Sequence, residues 1–252
     1  MTLTVLRGAR AATVFLTRLP VGGFPFSDRE LAWASAWFPA VGLLLGVLLG
    51  GVWLASAGFG TPTAAVLTLV ASVLLTGAFH EDGLADSADA LGGGSSRERV
   101  LEILKDSRIG TYGATALVLS LALRGTLLVQ LGPLAPPALL ASETLSRCGP
   151  VWLLRLLPYV TPGPTARSRG VARSGAEQVA LATALSLVVV GVLGATGALA
   201  PLRGLAAVAA VIAVTAASGL HFRRRLGGLT GDFLGAVQQL SSVSVLAVLA
   251  WR

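Results

Sequence analysis

The stretch HEDGLADSADALGGG (80–94) sets a histidine and four carboxylates, His80, Glu81, Asp82, Asp86 and Asp89, directly after a long apolar run. On a helix continuing through His80, Asp82, Asp86 and Asp89 stand at i, i+4 and i+7 and share one face. Three carboxylates on one face repel each other unless a cation sits among them. Oxygen donors with no cysteine nearby suit a hard ion, and Mg²⁺ in particular is held by a few carboxylates together with substrate phosphates. The competing reading is a solvated acidic helix end. Gly83, Ala85, Ser87, Ala88 and Ala90 favour the metal, because so sparse a surface lets a bulky ligand approach the backbone. His80 would border such a site, where a neutral imidazole is a candidate general base; a satisfied interfacial histidine fits its spacing equally well. Glu81 points off the shared face and reads as a solvated neighbour.

Seven of the twelve acidic residues lie between positions 81 and 106. Gly92, Gly93 and Gly94 break the first helix. Ser95, followed three residues later by Glu98, has the form of a capping box opening a short helix through Asp106, whose apolar side suits the membrane interface. In KDSRIGTYG (105–113), Asp106 offers a further metal ligand or base, and Lys105 and Arg108 offer phosphate contacts; a helix-end salt bridge is the alternative. Asp232 in LGGLTGDFLGA (226–236) joins an acid to close glycines at a helix start, where an N-cap is the simpler role. Glu143, Arg147 and Arg155 fall inside apolar spans, where ionisable groups are costly and need partners. Glu143 and Arg147, four residues apart, can pair with each other. Cys148 is the single cysteine and reads as a small core residue.

The elements that must position these groups are membrane helices. The chain is 54% hydrophobic and 12% charged with a mean hydropathy of +0.78, which predicts an all-α, polytopic integral membrane bundle forming one domain over 1–252. Apolar runs place about seven transmembrane helices near 31–57, 62–80, 111–131, 134–157, 177–199, 204–221 and 233–250. The apolar stretch after Arg7 and Arg10 is short and is stopped by Arg18 and Pro20 without a cleavage site, so the N-terminus is expected to be retained; whether residues 11–27 dip into the membrane surface is left open. The longer links fall on one side. They and the N-terminus carry fourteen of the nineteen basic residues, Arg167, Arg169 and Arg173 among them, against Arg203 and Arg252 opposite. By the positive-inside rule the acidic loop is cytoplasmic. Topology thus accounts for the net charge of +7, and no nucleic-acid partner is implied.

Grouped carboxylates, neighbouring cations and glycine-rich backbone suit Mg²⁺-assisted transfer of a phosphoryl group. The rival from another class is a cation transporter, which would favour carboxylates near the bilayer midplane on broken helices.

Several motifs resemble the cobalamin synthase family, the adenosylcobinamide-GDP ribazoletransferases. These are FLTRLPV (15–21), WFPAVGLLLG (37–46), TGAFHEDGLADSADALG (76–92), RVLEILKDSRIGTYGATALVL (99–119), Ser146-Arg147 and LGGLTGDFLGA. The resemblance implies a Mg²⁺-dependent enzyme of the cell inner membrane that joins adenosylcobinamide-GDP to α-ribazole or its 5′-phosphate and releases GMP. The ribose 3′-hydroxyl would attack the phosphorus on the cobinamide side. It implies Asp82, Asp86, Asp89 and Asp106 as metal ligands, His80 as base, Arg18, Lys105 and Arg108 as contacts to the pyrophosphate, and Asp232 as a substrate-orienting residue. Association between copies of the chain is left open. The chain departs from the family at Gln239 and Ser242, where relatives often carry glutamates, and YVTPGPTARSRG (159–170) matches only loosely. A CDP-alcohol-type phosphotransferase fits less well, since Leu84, Ala85 and Asp86 stand where its Ala-Arg pair would be.

Overall fold

The structure, a computed structural model, describes residues 2–23, 25–160 and 174–251; Arg167, Arg169, Arg173 and most of YVTPGPTARSRG lie outside the described residues. The chain forms helices α1 (Thr2–Leu16), α2 (Asp28–Ala34), α3 (Phe38–Ala55), α4 (Thr61–Thr76), α5 (Phe79–Gly93), α6 (Arg97–Ile103), α7 (Thr111–Leu131), α8 (Ala135–Ser146), α9 (Cys148–Leu156), α10 (Ala176–Ala195), α11 (Pro201–Leu226) and α12 (Gly231–Ala250). The all-α expectation holds. Among the described residues five helical runs are long and apolar enough to cross a bilayer, and the bent pair of α4 and α5 makes a sixth. By length and apolarity the runs number five or six, one of them covering both the 111–131 and the 134–157 stretches that the sequence suggested as two of seven spans.

One of those runs, Thr111–Leu156, doubles back on itself. Nineteen residues of straight helix would separate Arg124 from Glu143 by about 28 Å, yet their side chains are 3.4 Å apart. The reversal falls at Gly132, whose φ is 53°. The outer surface is greasy, with Leu54, Val66, Leu74, Val118, Leu205 and Ile212 all exposed, as lipid contact requires and as water does not tolerate over so wide an area.

Polarity inside the bundle is layered. One apolar cluster gathers Ala11, Leu16, Phe38, Ala90, Val100, Phe222 and Phe233 at the end that carries α5 and α6. A second gathers Leu49, Trp53, Leu128, Leu131, Leu199 and Leu249 at the other. Between them, where α8 passes into α9 and midway along α12, lie buried Ser142, Glu143, Thr144, Ser146, Arg147, Gln238, Gln239, Ser241 and Ser242.

The second apolar run does not continue through His80 as one helix. It breaks at Gly77 (φ 66°) and Ala78 (φ 58°), and α5 leaves α4 at 89°. Ala78 is the one non-glycine residue with positive φ among the described residues, a conformation costing roughly 1–2 kcal/mol. Thr76, Gly77 and Ala78 thus turn α5 into a separate element. The N-terminal segment forms α1 beside this break, and the backbone N–H of Arg18 donates to the Leu75 carbonyl at 2.7 Å. The expected short helix is present as α6, but Ser96 caps it, accepting from the Arg99 N–H at 3.2 Å, and it ends at Ile103. The capping box expected of Ser95 and Glu98 does not form: Gly94 is still bonded back to Ala90 and leaves Ser95 in the turn, and Ser96, with Arg99 three residues on, is a simple N-cap.

Candidate functional site

Helix α5 crosses α12 where both carry glycine. A Cβ on Gly83 would sit 2.8 Å from the Asp232 carbonyl and 3.1 Å from the Gly235 Cα, and one on Gly235 would meet the Gly83 Cα at 3.2 Å. The bareness of α5 therefore serves helix packing: Gly83, Ala85, Ser87 and Ala90 are buried, and the expectation that they leave room for a ligand is overturned for these four, while Ala88 is half-buried. The crossing has a chemical consequence. It sets Asp82 and Asp86 of α5 beside Asp232 of α12, close enough that Asp82 and Asp232 both act electrostatically on Asp86, and Asp82 on Asp232. Asp82 is exposed, and Asp86 and Asp232 are half-buried. Among the described residues no lysine or arginine forms an ion pair with any of the three. The capping role that competed for Asp232 belongs instead to Thr230, whose hydroxyl accepts from the Phe233 N–H at 3.4 Å.

Asp89 lies on the same helix but is engaged elsewhere. Its carboxylate accepts from the Gly110 N–H at 2.7 Å and the Gly113 N–H at 2.8 Å, two of the donors that a helix start leaves without intrahelical partners. The anion also opposes the positive end of α7. Glycine is needed at 110 and 113 because a Cβ at either would fall on this carboxylate. Asp89 thereby moors the loop that carries Lys105, Asp106 and Arg108 to the end of α5. In that loop Arg108 grips Asp106 with Nε at 2.9 Å and Nη2 at 2.6 Å; these bonds hold the Asp106 carboxyl down to about 2, so it stays ionised in the neutral range. The salt-bridge reading of Asp106 and Arg108 is the one observed, while Lys105 extends into solvent. Arg18 lays its guanidinium across Gly77, at the break that precedes α5.

His80 and Glu81 face inward. His80 is buried, stands about 160–180° around the helix from Asp82 and Asp89, and lies in the field of Arg147 and Arg124. The structure does not bring it to the aspartate face. Glu81, expected to be solvated, is also buried: its Oε1 accepts from Arg124 Nη1 at 3.1 Å and from Gln239 Nε2 at 3.0 Å. Arg124 in turn reaches Glu143 at 3.4 Å and Ser72 at 3.3 Å, and Glu143 accepts from Arg147 at 2.6 Å. Two carboxylates and two guanidiniums from α5, α7 and the end of α8 form a neutral chain of ion pairs, with the α12 amide of Gln239 bridging it. The expected Glu143–Arg147 pair is present. Sequence reading missed that Arg124 needs an acid as well: Glu143 is the only acid within the α7–α8 run and is already matched, which points to the acidic stretch for the missing partner.

The break at Gly77–Ala78 and the polar layer are features expected of a cation transporter. Here, however, the buried charges neutralise one another, and the unpaired carboxylates lie on the opposite face of α5. Among the described residues no three His, Cys, Asp or Glu side chains converge to enclose a metal unaided. Asp82 and Asp86 nevertheless fit Mg²⁺, which keeps several waters and uses only one or two carboxylates plus substrate phosphates; their charge is uncompensated and their donors are all oxygen.

The sequence profile described as CobS, cobalamin-5-phosphate synthase, matches residues 8–250. A protein of Vibrio cholerae serotype O1 named adenosylcobinamide-GDP ribazoletransferase is 44% identical over 94% of this chain and 91% of its own length. Proteins of the same name from Bradyrhizobium diazoefficiens and Rhizobium meliloti are each 40% identical, covering 98% and 95% of this chain and 94% of their own lengths. No solved structure matches. With the profile spanning nearly the whole sequence and such identity to these relatives, this chain belongs to the cobalamin-5-phosphate synthase (CobS) family.

Proposed function

We propose that this chain transfers the adenosylcobinamide phosphate moiety of adenosylcobinamide-GDP to α-ribazole or its 5′-phosphate, releasing GMP, at the cytoplasmic face of the cell inner membrane. The observation that carries the reading at the level of chemistry is the uncompensated carboxylate face of Asp82, Asp86 and Asp232, joined by the Gly83–Gly235 crossing. Bound there by Asp82 and Asp86, Mg²⁺ would neutralise pyrophosphate charge and polarise the phosphorus. Asp232 closes the face from α12 and orients substrate. Arg18 at the break and Lys105 and Arg108 on the moored loop supply cations on either side of α5. Asp89 holds that loop in place through Gly110 and Gly113. In the transfer the ribose 3′-hydroxyl oxygen forms the new bond to phosphorus while the bond to the GMP oxygen breaks. The hydroxyl proton leaves to an oxygen on this face, not to His80.

Positive residues on the α5 side of the bundle support the cytoplasmic orientation. The test is to supply the purified chain in lipid nanodiscs with adenosylcobinamide-GDP, α-ribazole and Mg²⁺ and to measure GMP. Turnover that vanishes in Asp82→Asn and in Asp86→Asn, with both variants still folded, is expected. No GMP from the wild-type chain would overturn the function, and full Mg²⁺-dependent turnover in both variants would overturn the cation site.

A further inference from the structure

Away from the aspartates, a cavity of about 630 Å³ opens between α9, α10 and α11. Its α11 wall is a stripe of every third or fourth residue from Val208 to Arg223, so it follows the helix axis for roughly 22 Å, longer than one leaflet of a bilayer core of about 30 Å. Gly149 on α9 lies against Thr215, and Gly219 on α11 against Leu153, so these two helices close tightly along the floor of the slot. The wall is apolar, and the hydroxyls of Thr183 and Ser186 are turned into their own helix, donating to the Val179 and Ala182 carbonyls at 2.8 Å each. Leu187, Ile212 and Leu220 at its rim are exposed on the greasy outer surface. The slot is therefore long, narrow, dry and open sideways to lipid.

One end is cationic. Arg223 lines the slot and Arg224 is exposed beside it; neither has a hydrogen-bond or ion-pair partner among the described residues. Their neighbour Arg225 is committed, donating to the Leu91 and Gly94 carbonyls at the end of α5. That bond fixes which end this is: the one carrying α5, α6 and most of the basic side chains. A corrinoid or nucleotide would find almost no polar partners along this wall. An acyl chain finds a lining that is apolar except at the unpartnered Thr215 hydroxyl, and a phosphate at its head finds two unpaired guanidiniums.

We propose that this slot is a binding site for an anionic phospholipid, one acyl chain lying along α11 between Trp152 and Leu187 and the phosphate held by Arg223 and Arg224. The chain gains little from exchanging bilayer for slot, since both are apolar, so selectivity resides in the headgroup. A basic side chain near the membrane surface favours an anionic lipid by an amount that makes two of them worth about tenfold or more. The proposal does not depend on the transfer reaction.

Two side chains of the slot serve as reporters. The full chain is reconstituted in phosphatidylcholine nanodiscs containing a minor fraction of phosphatidylglycerol, with bromine on the acyl chains of one lipid or the other. Quenching of Trp152, assigned by difference from Trp152→Phe, is expected to be several-fold greater when phosphatidylglycerol carries the bromine than its share of the lipid predicts. Alkylation of Cys148, the only cysteine and a lining residue, by N-ethylmaleimide is expected to slow as phosphatidylglycerol is added. Both effects disappear in Arg223→Gln/Arg224→Gln and return in the corresponding lysine pair. Quenching in proportion to lipid composition, or a preference unchanged in the glutamine pair, overturns the proposal. So does protection of Cys148 by α-ribazole in pure phosphatidylcholine, which would make the slot a substrate subsite.

Discussion

Replacing Glu81 by Gln keeps the shape of the side chain and removes one of the four charges in the buried network. In the native arrangement Arg124 is shared between Glu81 at 3.1 Å and Glu143 at 3.4 Å, while Glu143 also holds Arg147 at 2.6 Å. Without the Glu81 charge, two buried guanidiniums compete for one carboxylate and the network carries a net positive charge. Breaking a buried pair by removing one partner costs about 3–5 kcal/mol; because Glu143 retains hold of Arg124, a loss of roughly 2–4 kcal/mol is expected. Arg124→Gln alone leaves the Glu81 charge with the Gln239 amide as its partner, its Oε2 already lacking one, and costs a similar amount. The double variant is neutral again and keeps amide-to-amide hydrogen bonding, so it falls short of the sum of the singles by about 2 kcal/mol, within the range seen for directly coupled residues. The assay is reversible unfolding in mixed detergent micelles, followed by tryptophan fluorescence. A Glu81→Gln loss below half a kcal/mol, or strict additivity in the double variant, would refute the network.

Gly83→Ala forces a Cβ to 2.8 Å from the Asp232 carbonyl, so α5 and α12 must separate; a loss of about 1–3 kcal/mol with a fall in transfer rate is expected, and unchanged values for both would show that the crossing does not set the site. Asp89→Ala removes the acceptor for two backbone N–H groups at the start of α7. Stability should drop by about 1–2 kcal/mol, and faster amide exchange should be confined to residues near 105–113; exchange unchanged there contradicts the mooring role. Ala78→Gly relieves a left-handed alanine and is expected to stabilise by roughly 1 kcal/mol, read as a higher unfolding midpoint. For His80→Ala, placed opposite the aspartates, the rate should fall by less than tenfold with the pH profile unchanged in shape, whereas a general base would cost 10²–10⁴-fold and alter the profile.

By itself the sequence determined the solvent the chain folds in and the helix that carries the chemistry. Hydropathy selects membrane helices because unpaired backbone in lipid is prohibitive. The i, i+4, i+7 spacing placed Asp82, Asp86 and Asp89 on one side of α5 because a helix converts spacing into direction. The pairing of Glu143 with Arg147 was legible for the same reason, both partners lying on one helix turn. Where those directions lead depends on the packing of distant helices. Asp89 turned out to face the start of α7, and Glu81, one residue from the aspartates, faces an arginine forty-three residues away in the bundle interior. The sparse surface of α5 meets another helix rather than a ligand. Contacts between elements depend on the 89° break at Gly77–Ala78 and on the glycine crossing with α12. Local spacing does not encode these, since they are fixed by how distant helices close-pack around a polar layer that must neutralise itself.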